Sequence, residues 1–566
     1  MSANRWIISA SAPETELISK KAGLPLWVAR VLTNRGVLSP EDARAFLFGD
    51  ISSLHNPYLF EDMKKAVARI QKAIINKEKI LVFGDYDVDG ILSVVMLTRA
   101  LTDLGGQVEY YIPDRLSQGY GLREQYIESM QSKGFQLLIS VDCGIKANAF
   151  VNKAGECGLD VIITDHHLPG PQLPAAEAIL NPAVPGCGYP EISLAGVGVV
   201  FKLMQALIQE RGQASHLRSY MKLVAIGTVA DVVDLKGENR LLVKFGLEEL
   251  KNAVNPGLKN LLKICGLTGK SISVGDVGFR IGPRLNAAGR LGKAETAVEL
   301  FFSEEPQVVE NIVSQLDNYN SVRQKIEEKI FNQAVNHIEK KKLHEKHKLL
   351  ILGCEEWHRG VIGIVSSKIK DLFYRPVILF SYEEGKAVGS GRSIKEFSLI
   401  DCLDDNKSFF ISYGGHRQAV GCELPVERVD SFRKTINNYV DGKLSPVDLQ
   451  KKLYIDTTLR FEEMDSNFME LFYCISPFGM GNPRPLFLVE KAEVSAPPQK
   501  IKKKHCKLVL RQKGRVFEAI GWQKGAWTDQ LKRGDLLDVV FSPQENKFLG
   551  QESLYLSLED IRKSKI

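Results

Sequence analysis

The sequence predicts a multidomain α/β protein: a parallel-sheet domain, a long connecting helix, a smaller α/β domain and a C-terminal β-barrel. Three observations carry this. Between Lys79 and Leu180 short β-branched runs alternate with helix-period segments, the pattern of a doubly wound parallel sheet. From about Pro306 to Lys342 one apolar period of helical spacing continues without a break. After about Ser445 the chain turns to short strands and turns. A chain of 566 residues is too long for one hydrophobic core, so roughly three or four domains are expected.

Residues 1–75 read as helical, with Ser39 as N-cap, Pro40 at the first helical position and the early acids Glu41 and Asp42. Residues 76–300 carry the strands Ile80–Phe83, Val108–Ile112, Leu137–Val141, Val161–Thr164 and Ala178–Leu180. In the segment 301–345, Val309, Ile312, Val313, Leu316, Tyr319, Ile326, Ile330 and Ile338 repeat at helical spacing. At 1.5 Å per residue this makes a strut of roughly 50 Å. Residues 346–445 form a second α/β block, with strands near Leu349–Leu352 and Val377–Phe380 around the helix-like "GVIGIVSSKIKDLF" and the Gly-rich turns "AVGSGRS" and "SYGGHRQAVG". Residues 446–566 include strands at Lys507–Leu510 and Val516–Ile520.

Composition narrows the class. The chain is 44% hydrophobic and 25% charged, as soluble globular proteins are. No window reaches the ~18 uninterrupted apolar residues of a membrane span, and "MSANRWIISASAPETE" is too broken and acidic for a signal peptide. A cytoplasmic location with no membrane partner is the expectation. Nine cysteines without a C-x-x-C pair suggest neither a disulfide framework nor a zinc knuckle. The net charge of +6 is modest and by itself predicts no nucleic-acid binding.

The chemistry concentrates at strand ends. "LVFGDYDVDGILSVVM" packs Asp85, Asp87 and Asp89 together and closes them with Gly90, as a calcium loop begins. Position 12 of such a loop needs a bidentate Glu and falls here on Met96, and a strand rather than a helix leads in. Asp142 follows "LLISV", and Asp165, His166 and His167 follow "VIIT". Ligands bind at the carboxyl ends of strands in open α/β sheets, so these clusters converge on one crevice. Any single acid there reads equally well as a helix N-cap or turn residue. Together they would repel one another unless a cation neutralises them, and carboxylates with imidazoles suit Mn²⁺ or Mg²⁺ in a two-metal site.

"GDYDVDG", "SVDCGI", "TDHH" and "GTVADVVDL", in this order, resemble the four motifs of the DHH phosphoesterase superfamily. The later "GPRLNAAGRLG", "GSGRS" and "GGHRQAVG" narrow the resemblance to RecJ-type single-strand-specific exonucleases. The resemblance runs from Trp6 to the C-terminal barrel. It implies a DHH catalytic domain, a connecting helix, a DHHA1 domain and an OB-like barrel. The activity implied is metal-dependent 5′→3′ hydrolysis of single-stranded DNA to nucleotide monophosphates in recombination and repair, beside a helicase and a single-strand-binding protein. Two divalent cations are implied, with Asp87 on one, Asp142 bridging both, and Asp89, His166 and Asp231 on the second. His167 would face the scissile phosphate, Asp85 is a further ligand or outer acid, and Asp165 orients a histidine. Phe83 stands where many members carry a histidine, which weakens the expected first site.

For the substrate, Arg115 lies just beyond strand Val108–Ile112 and reads alone as a solvated loop arginine; the resemblance places it near the 5′ end of the strand, approached by Ser390 and Arg392. Gly414, Gly415 and His416 read alone as a tight turn; the resemblance implies that the glycines let the backbone approach a nucleotide there. Arg280, Arg284, Asn286 and Arg290 offer a surface that tracks phosphates, or else ordinary arginines on a capped helix. Eight basic residues between Lys500 and Arg515, Lys503 and Lys504 among them, stand near Phe517 and Trp522, as in a groove where bases stack; a solvated face is the plainer reading. "GLTGKS" imitates a P-loop, but the first glycine of that motif would fall on Ile264. Two rivals remain: a DHH enzyme of small nucleotides, which would lack the basic barrel, and a non-catalytic scaffold, which would lack the acids.

Overall fold

The computed structural model describes residues 4–114, 118, 121–209, 217–548 and 551–565. Strands β2 (Lys79–Gly84), β3 (Gln107–Tyr111), β4 (Phe135–Val141), β5 (Asp160–Thr164) and β6 (Ala178–Leu180) follow the N-terminal β1 (Arg5–Ile8). β2 to β6 form a sheet in the order β3-β2-β4-β5-β6 with every pair parallel. The order reverses between β2 and β4, so a crevice opens at their carboxyl ends. The helix Val88–Asp103 runs away from that crevice and is buried on nearly every side, between the sheet and the helices Gly196–Gln209 and Leu217–Asp231. Such all-round burial explains its continuous apolar run "ILSVVML".

The helix Pro306–Lys341 is 36 residues long, about 54 Å at 1.5 Å per residue. Val309, Ile312, Val313 and Leu316 belong to the core of the first domain, whereas Ile330, Ala334 and Ile338 belong to the core of the second. One helix thereby fixes two domains to each other. At its waist Arg323 and Glu327 form a buried ion pair at 2.5 Å, and Lys368 joins Glu327 from the second domain.

The second domain is a mixed sheet of β7 (Leu350–Cys354), β8 (Val377–Glu383), β9 (Lys386–Arg392), β10 (Ser412–His416) and β11 (Ala419–Pro425), ordered β10-β11-β9-β8-β7. Here the reading of "AVGSGRS" as a turn is corrected, because it is the central strand β9. Its glycines are packing devices: a Cβ on Gly389 would lie 2.5 Å from the Phe380 ring, and one on Gly391 2.7 Å from Val420. "SYGGHRQAVG" is the β10–β11 hairpin, and a Cβ on Gly415 would stand 2.3 Å from the Ala419 carbonyl.

The C-terminal domain comprises β12 (Lys452–Ile455), β13 (Thr457–Thr458), β14 (Phe487–Val494), β15 (Gln499–Ile501), β16 (His505–Gln512), β17 (Arg515–Gly521), β18 (Leu536–Phe548) and β19 (Gln551–Lys563). β14 pairs with both β18 and β16, which closes the order β14-β18-β19-β17-β16 into a five-stranded barrel and removes its edges. Into its core pack the N-terminal helices Glu14–Ala22, Leu26–Thr33 and Pro40–Phe48, through Ile18, Trp27, Val28 and Leu32 among others. Ser39 caps the third, accepting from the Asp42 N–H at 3.0 Å. The N-terminal segment also holds a strand that helical periodicity did not suggest, since β1 pairs parallel to β12. Phe517 packs 4.9 Å from Phe461 against the barrel core, so it is not an open stacking surface for bases.

Candidate metal centre

Local structure aims each acid. Asp87 is the N-cap of helix Val88–Asp103, its Oδ1 accepting from the N–H groups of Asp89 (2.9 Å) and Gly90 (3.1 Å). A Cβ on Gly90 would lie 2.5 Å from the Asp85 carbonyl, so the turn requires glycine. Asp89, buried in the first turn of that helix, accepts the N–H groups of Gly196 (2.8 Å) and Val197 (2.7 Å) at the start of helix Gly196–Gln209. Asp142 follows β4 in a left-handed conformation, φ 59°, its N–H donating to the Thr164 carbonyl at 2.9 Å. A Cβ on Gly196 would come within 2.9 Å of Asp142, so this glycine admits the carboxylate. Asp231 ends helix Leu217–Asp231.

These side chains meet. His166 Nε2 lies 3.1 Å from Asp142, 3.6 Å from Asp231 and 3.9 Å from Asp89. Ligand atoms of Asp85, Asp87 and Asp142 lie within 4.8 Å of one another, as do those of Asp89, His166 and Asp231, and those of Asp142, His166 and His167. Asp142 thus belongs to the first set and touches the second through His166. Asp165 does not join them: its Oδ1 accepts from the His166 and His167 N–H groups and lies 2.8 Å from His167 Nδ1, while Oδ2 accepts the Ile145 N–H.

The electrostatics fit a cation. Burial, then the neighbouring charges of Asp89 and Asp87, pushes Asp142 well above the usual carboxylate range, and burial with the same neighbours does so for Asp231. Burial and Asp87 raise Asp89 to about 7. Burial, then the neighbouring His167, lowers His166 to about 4, which keeps the ring neutral and its lone pair available. His167 goes the other way: burial opposes its charge, but the bond to Asp165 together with the charges of Asp165, Asp85 and Asp89 outweighs it and raises its pKa. His166 Nε2 and Asp231 Oδ2 are buried with no hydrogen-bond partner among the described residues. Carboxylate oxygens with imidazole nitrogens, two of these atoms orphaned, are a donor set suited to Mn²⁺ or Mg²⁺.

The cleft continues into the second domain. Gly289 packs against the Tyr86 carbonyl, where a Cβ would stand at 2.4 Å, and the next residue, Arg290, donates to the Gly360 carbonyl at 2.8 Å. Helix Ile362–Phe373 starts there, and a Cβ on its Gly363 would lie 2.9 Å from Ser390 Oγ and 3.3 Å from Arg392. Arg392 donates to Ser390 Oγ at 3.2 Å, and its charge, after burial, lowers the pKa of His416. Asn286 and Arg290 line a cavity of about 660 Å³ with Val232, Phe279, Arg323 and Lys368.

Comparison with known proteins places this geometry. Residues 79–228 match the DHH family N-terminal domain, 346–442 the DHHA1 domain and 455–560 the RecJ OB domain. The single-stranded-DNA-specific exonuclease RecJ of Bacillus subtilis is 37% identical over 561 residues, 98% of this chain and 70% of the relative. That of Escherichia coli K12 is 33% identical over 570 residues, 95% of this chain and 96% of the relative. The chain belongs to the RecJ family. The crystal structure of RecJ in complex with Mn²⁺ from Thermus thermophilus superposes with a TM-score of 0.84 at 28% identity, covering 100% of this chain and 80% of that one. The Mg²⁺ complex from the same organism gives 0.75 at 27% identity, covering 100% and 79%.

Within this RecJ fold some expected nucleic-acid contacts are committed elsewhere. Arg284 donates to Asp317 and to the Arg280 carbonyl, both at 2.8 Å, and Arg280 pairs with Asp276 at 3.0 Å and with the Cys265 carbonyl. Both guanidiniums are engaged within the fold, Arg284 with the long helix and Arg280 with residues that precede it. Arg115 lies outside the described residues. In the basic run Lys500, Lys507 and Arg511 pair with Asp529, Glu518 and Glu493, so its net field is smaller than the sequence suggests. Lys503 and Lys504 stand exposed on the turn before β16, and Trp522, 48% exposed, meets His505 edge-on at 4.9 Å at the same end. Gly196, which admits the Asp142 carboxylate, is a site residue that no motif singles out; its only signal is the run of small residues in "AGVGVV".

Proposed function

We propose that this chain is a metal-dependent exonuclease that hydrolyses single-stranded DNA from the 5′ end to nucleotide monophosphates. The observation that carries it is the meeting of Asp85, Asp87 and Asp142 with Asp89, His166 and Asp231 at the reversal of a parallel sheet. Asp87, with Asp85 beside it, would hold one divalent cation, Asp89, His166 and Asp231 would hold the second, and Asp142, close to both sets, would serve either. Mn²⁺ or Mg²⁺ there would acidify water and neutralise charge on the attacking and leaving oxygens. The chain's own residues orient the rest. Asp165 fixes His167 through Nδ1, leaving Nε2 as the ring nitrogen for the scissile phosphate, and the same bond favours the charged ring. In the second domain Ser390 and Arg392, with His416 beside Arg392, would receive the 5′ end, with Arg115 as a further candidate.

The domains divide the work: 76–300 cleaves, 346–445 binds the end, 301–345 spaces them, and 446–566 holds the strand through Lys503, Lys504 and Trp522. A single strand enters such a cleft more readily than a duplex, so a helicase and a single-strand-binding protein are expected partners in recombination and repair. The compartment is the cytoplasm, in keeping with nine free cysteines. Among the described residues no helix is long and apolar enough to cross a membrane.

The test compares nucleotide release from single-stranded DNA labelled at either end, with and without Mn²⁺, for wild type and Asp142→Ala. The expected result is Mn²⁺-dependent release of the 5′ label, lost in the variant. Activity without metal, or in Asp142→Ala, would sink the metal site. First release from the 3′ end would overturn the polarity alone, and preference for a dinucleotide would favour a small-nucleotide phosphoesterase.

A further inference from the structure

The segment after Asp231 is held in an unusual way. Helix Leu217–Asp231 ends on that acid, and the next residue, Val232, has φ 64°, a conformation that a β-branched residue adopts only under constraint. Val232 is 57% exposed, so packing of its own side chain does not supply the constraint. Three residues on, the buried Leu235 is tied down, its N–H donating to the Met480 carbonyl at 2.8 Å. Met480 belongs to a loop of the C-terminal domain, more than two hundred residues further along the chain.

That loop is itself rigidly built. Asn482 is fully buried; its Nδ2 donates to the carbonyls of Ile475 (2.8 Å) and Pro477 (2.9 Å), and its Oδ1 accepts from Arg35 Nε at 2.7 Å. Arg35 also donates to Val31, Pro483 and Asp456, fastening the loop to the N-terminal helices and to the residues after β12. On the opposite flank Arg240, 1% exposed, donates to the Cys474 and Ser476 carbonyls, both at 2.6 Å, and stacks 4.1 Å over Phe46. Gly481, at φ 69°, presses on the strained segment, since a Cβ there would lie 2.7 Å from Asp234 Cγ. Asn239 holds the Asp234 carbonyl from the other side at 3.0 Å.

We propose that the loop Cys474–Pro483 of the C-terminal domain positions Asp231 in the metal centre, with Gly481 and Asn482 as positioning residues that act through Asp234 and Leu235. This rests on Asp231 being a metal ligand. Neither residue is among the acids and histidines that meet at the centre; the loop fixes where the last helical turn before it ends. The barrel is then part of the catalytic framework as well as a grip on the strand.

The test is a Mn²⁺ titration of the metal-free full chain, following the paramagnetic resonance of free Mn²⁺, for wild type, Asp231→Asn, Gly481→Ala and the milder Asn482→Asp. Val494→Ala, a truncation in the barrel core away from the loop, controls for loss of stability. The loop variants should weaken one Mn²⁺ site by about 10- to 100-fold, as outer supports of metal ligands do, leave the other unchanged, and so resemble Asp231→Asn. Val494→Ala should melt at lower temperature yet bind both ions as wild type does. If Asp231→Asn loses a site while either folded loop variant binds like wild type, the positioning proposal is wrong and the ligand assignment stands. If Asp231→Asn keeps both sites, the ligand assignment fails and the proposal with it.

Discussion

Near neutral pH the metal-free acid cluster should hold protons that Mn²⁺ has to displace. Asp89 is wholly buried and faces Asp87; burial first, then that charge, moves it from 3.8 to about 7. Asp142 and Asp231 move in the same direction. Between about pH 4 and 7 the native state keeps a proton that the unfolded chain has released, so the stability of the metal-free protein falls as pH rises through that window. Asp89 alone sets a ceiling of about 4 kcal/mol, from about three pH units at about 1.4 kcal/mol each. Metal binding runs the other way: below about pH 7 each unit lower should cost about tenfold in Mn²⁺ affinity. Calorimetric titration at about pH 6 and about pH 8, each in two buffers of different ionisation enthalpy, reads both quantities. We expect release of about one proton or more per protein at the lower pH and less at the higher, where Asp89 has already ionised. Equal affinity at both, with no proton release, would refute the account of the cluster.

Asp142→Ala should lower single-strand cleavage by more than about 100-fold, beyond the loss usual for outer supports, while leaving the melting temperature of the metal-free protein equal or higher, because a repelling buried acid is removed. Replacing Lys503 and Lys504 together by Ala should weaken single-strand binding and reduce the slope of log affinity against log salt by about 1.4, measured by anisotropy. An unchanged slope would place the strand elsewhere. Arg284→Ala should destabilise the fold by about 1–3 kcal/mol in denaturant melts through loss of its bonds to Asp317 and the Arg280 carbonyl, with that salt slope unaltered.

What was legible in the sequence follows from how local each signal is. The strands before Asp85, Asp142 and Asp165 announce themselves as short β-branched runs, and an acid after each needs only the rule for strand ends. The helix Pro306–Lys341 is legible because the two cores it enters lie along one apolar stripe. "AVGSGRS" reads wrongly because its glycines oppose strand propensity, while what places it in the sheet is Phe380 and Val420, each from another strand. The bond of Arg284 is illegible for a similar reason, its partner Asp317 lying on the long helix. The basic run looks acid-free only along the chain; Asp529, Glu518 and Glu493 reach it across strands and turns.

The shared core of the N-terminal helices and the barrel has a consequence for biosynthesis. Arg35 and Asp456 are 421 residues apart in the chain. At 5–20 residues per second the first helices wait roughly 20–80 s for the strands they pack against. Throughout that interval Trp27, Val28 and Leu32 have no barrel to cover them, so helices made well before the barrel are among the last to find their place. A nascent chain stalled before the barrel would display this apolar surface as a mark of incompleteness for chaperones and proteases to read.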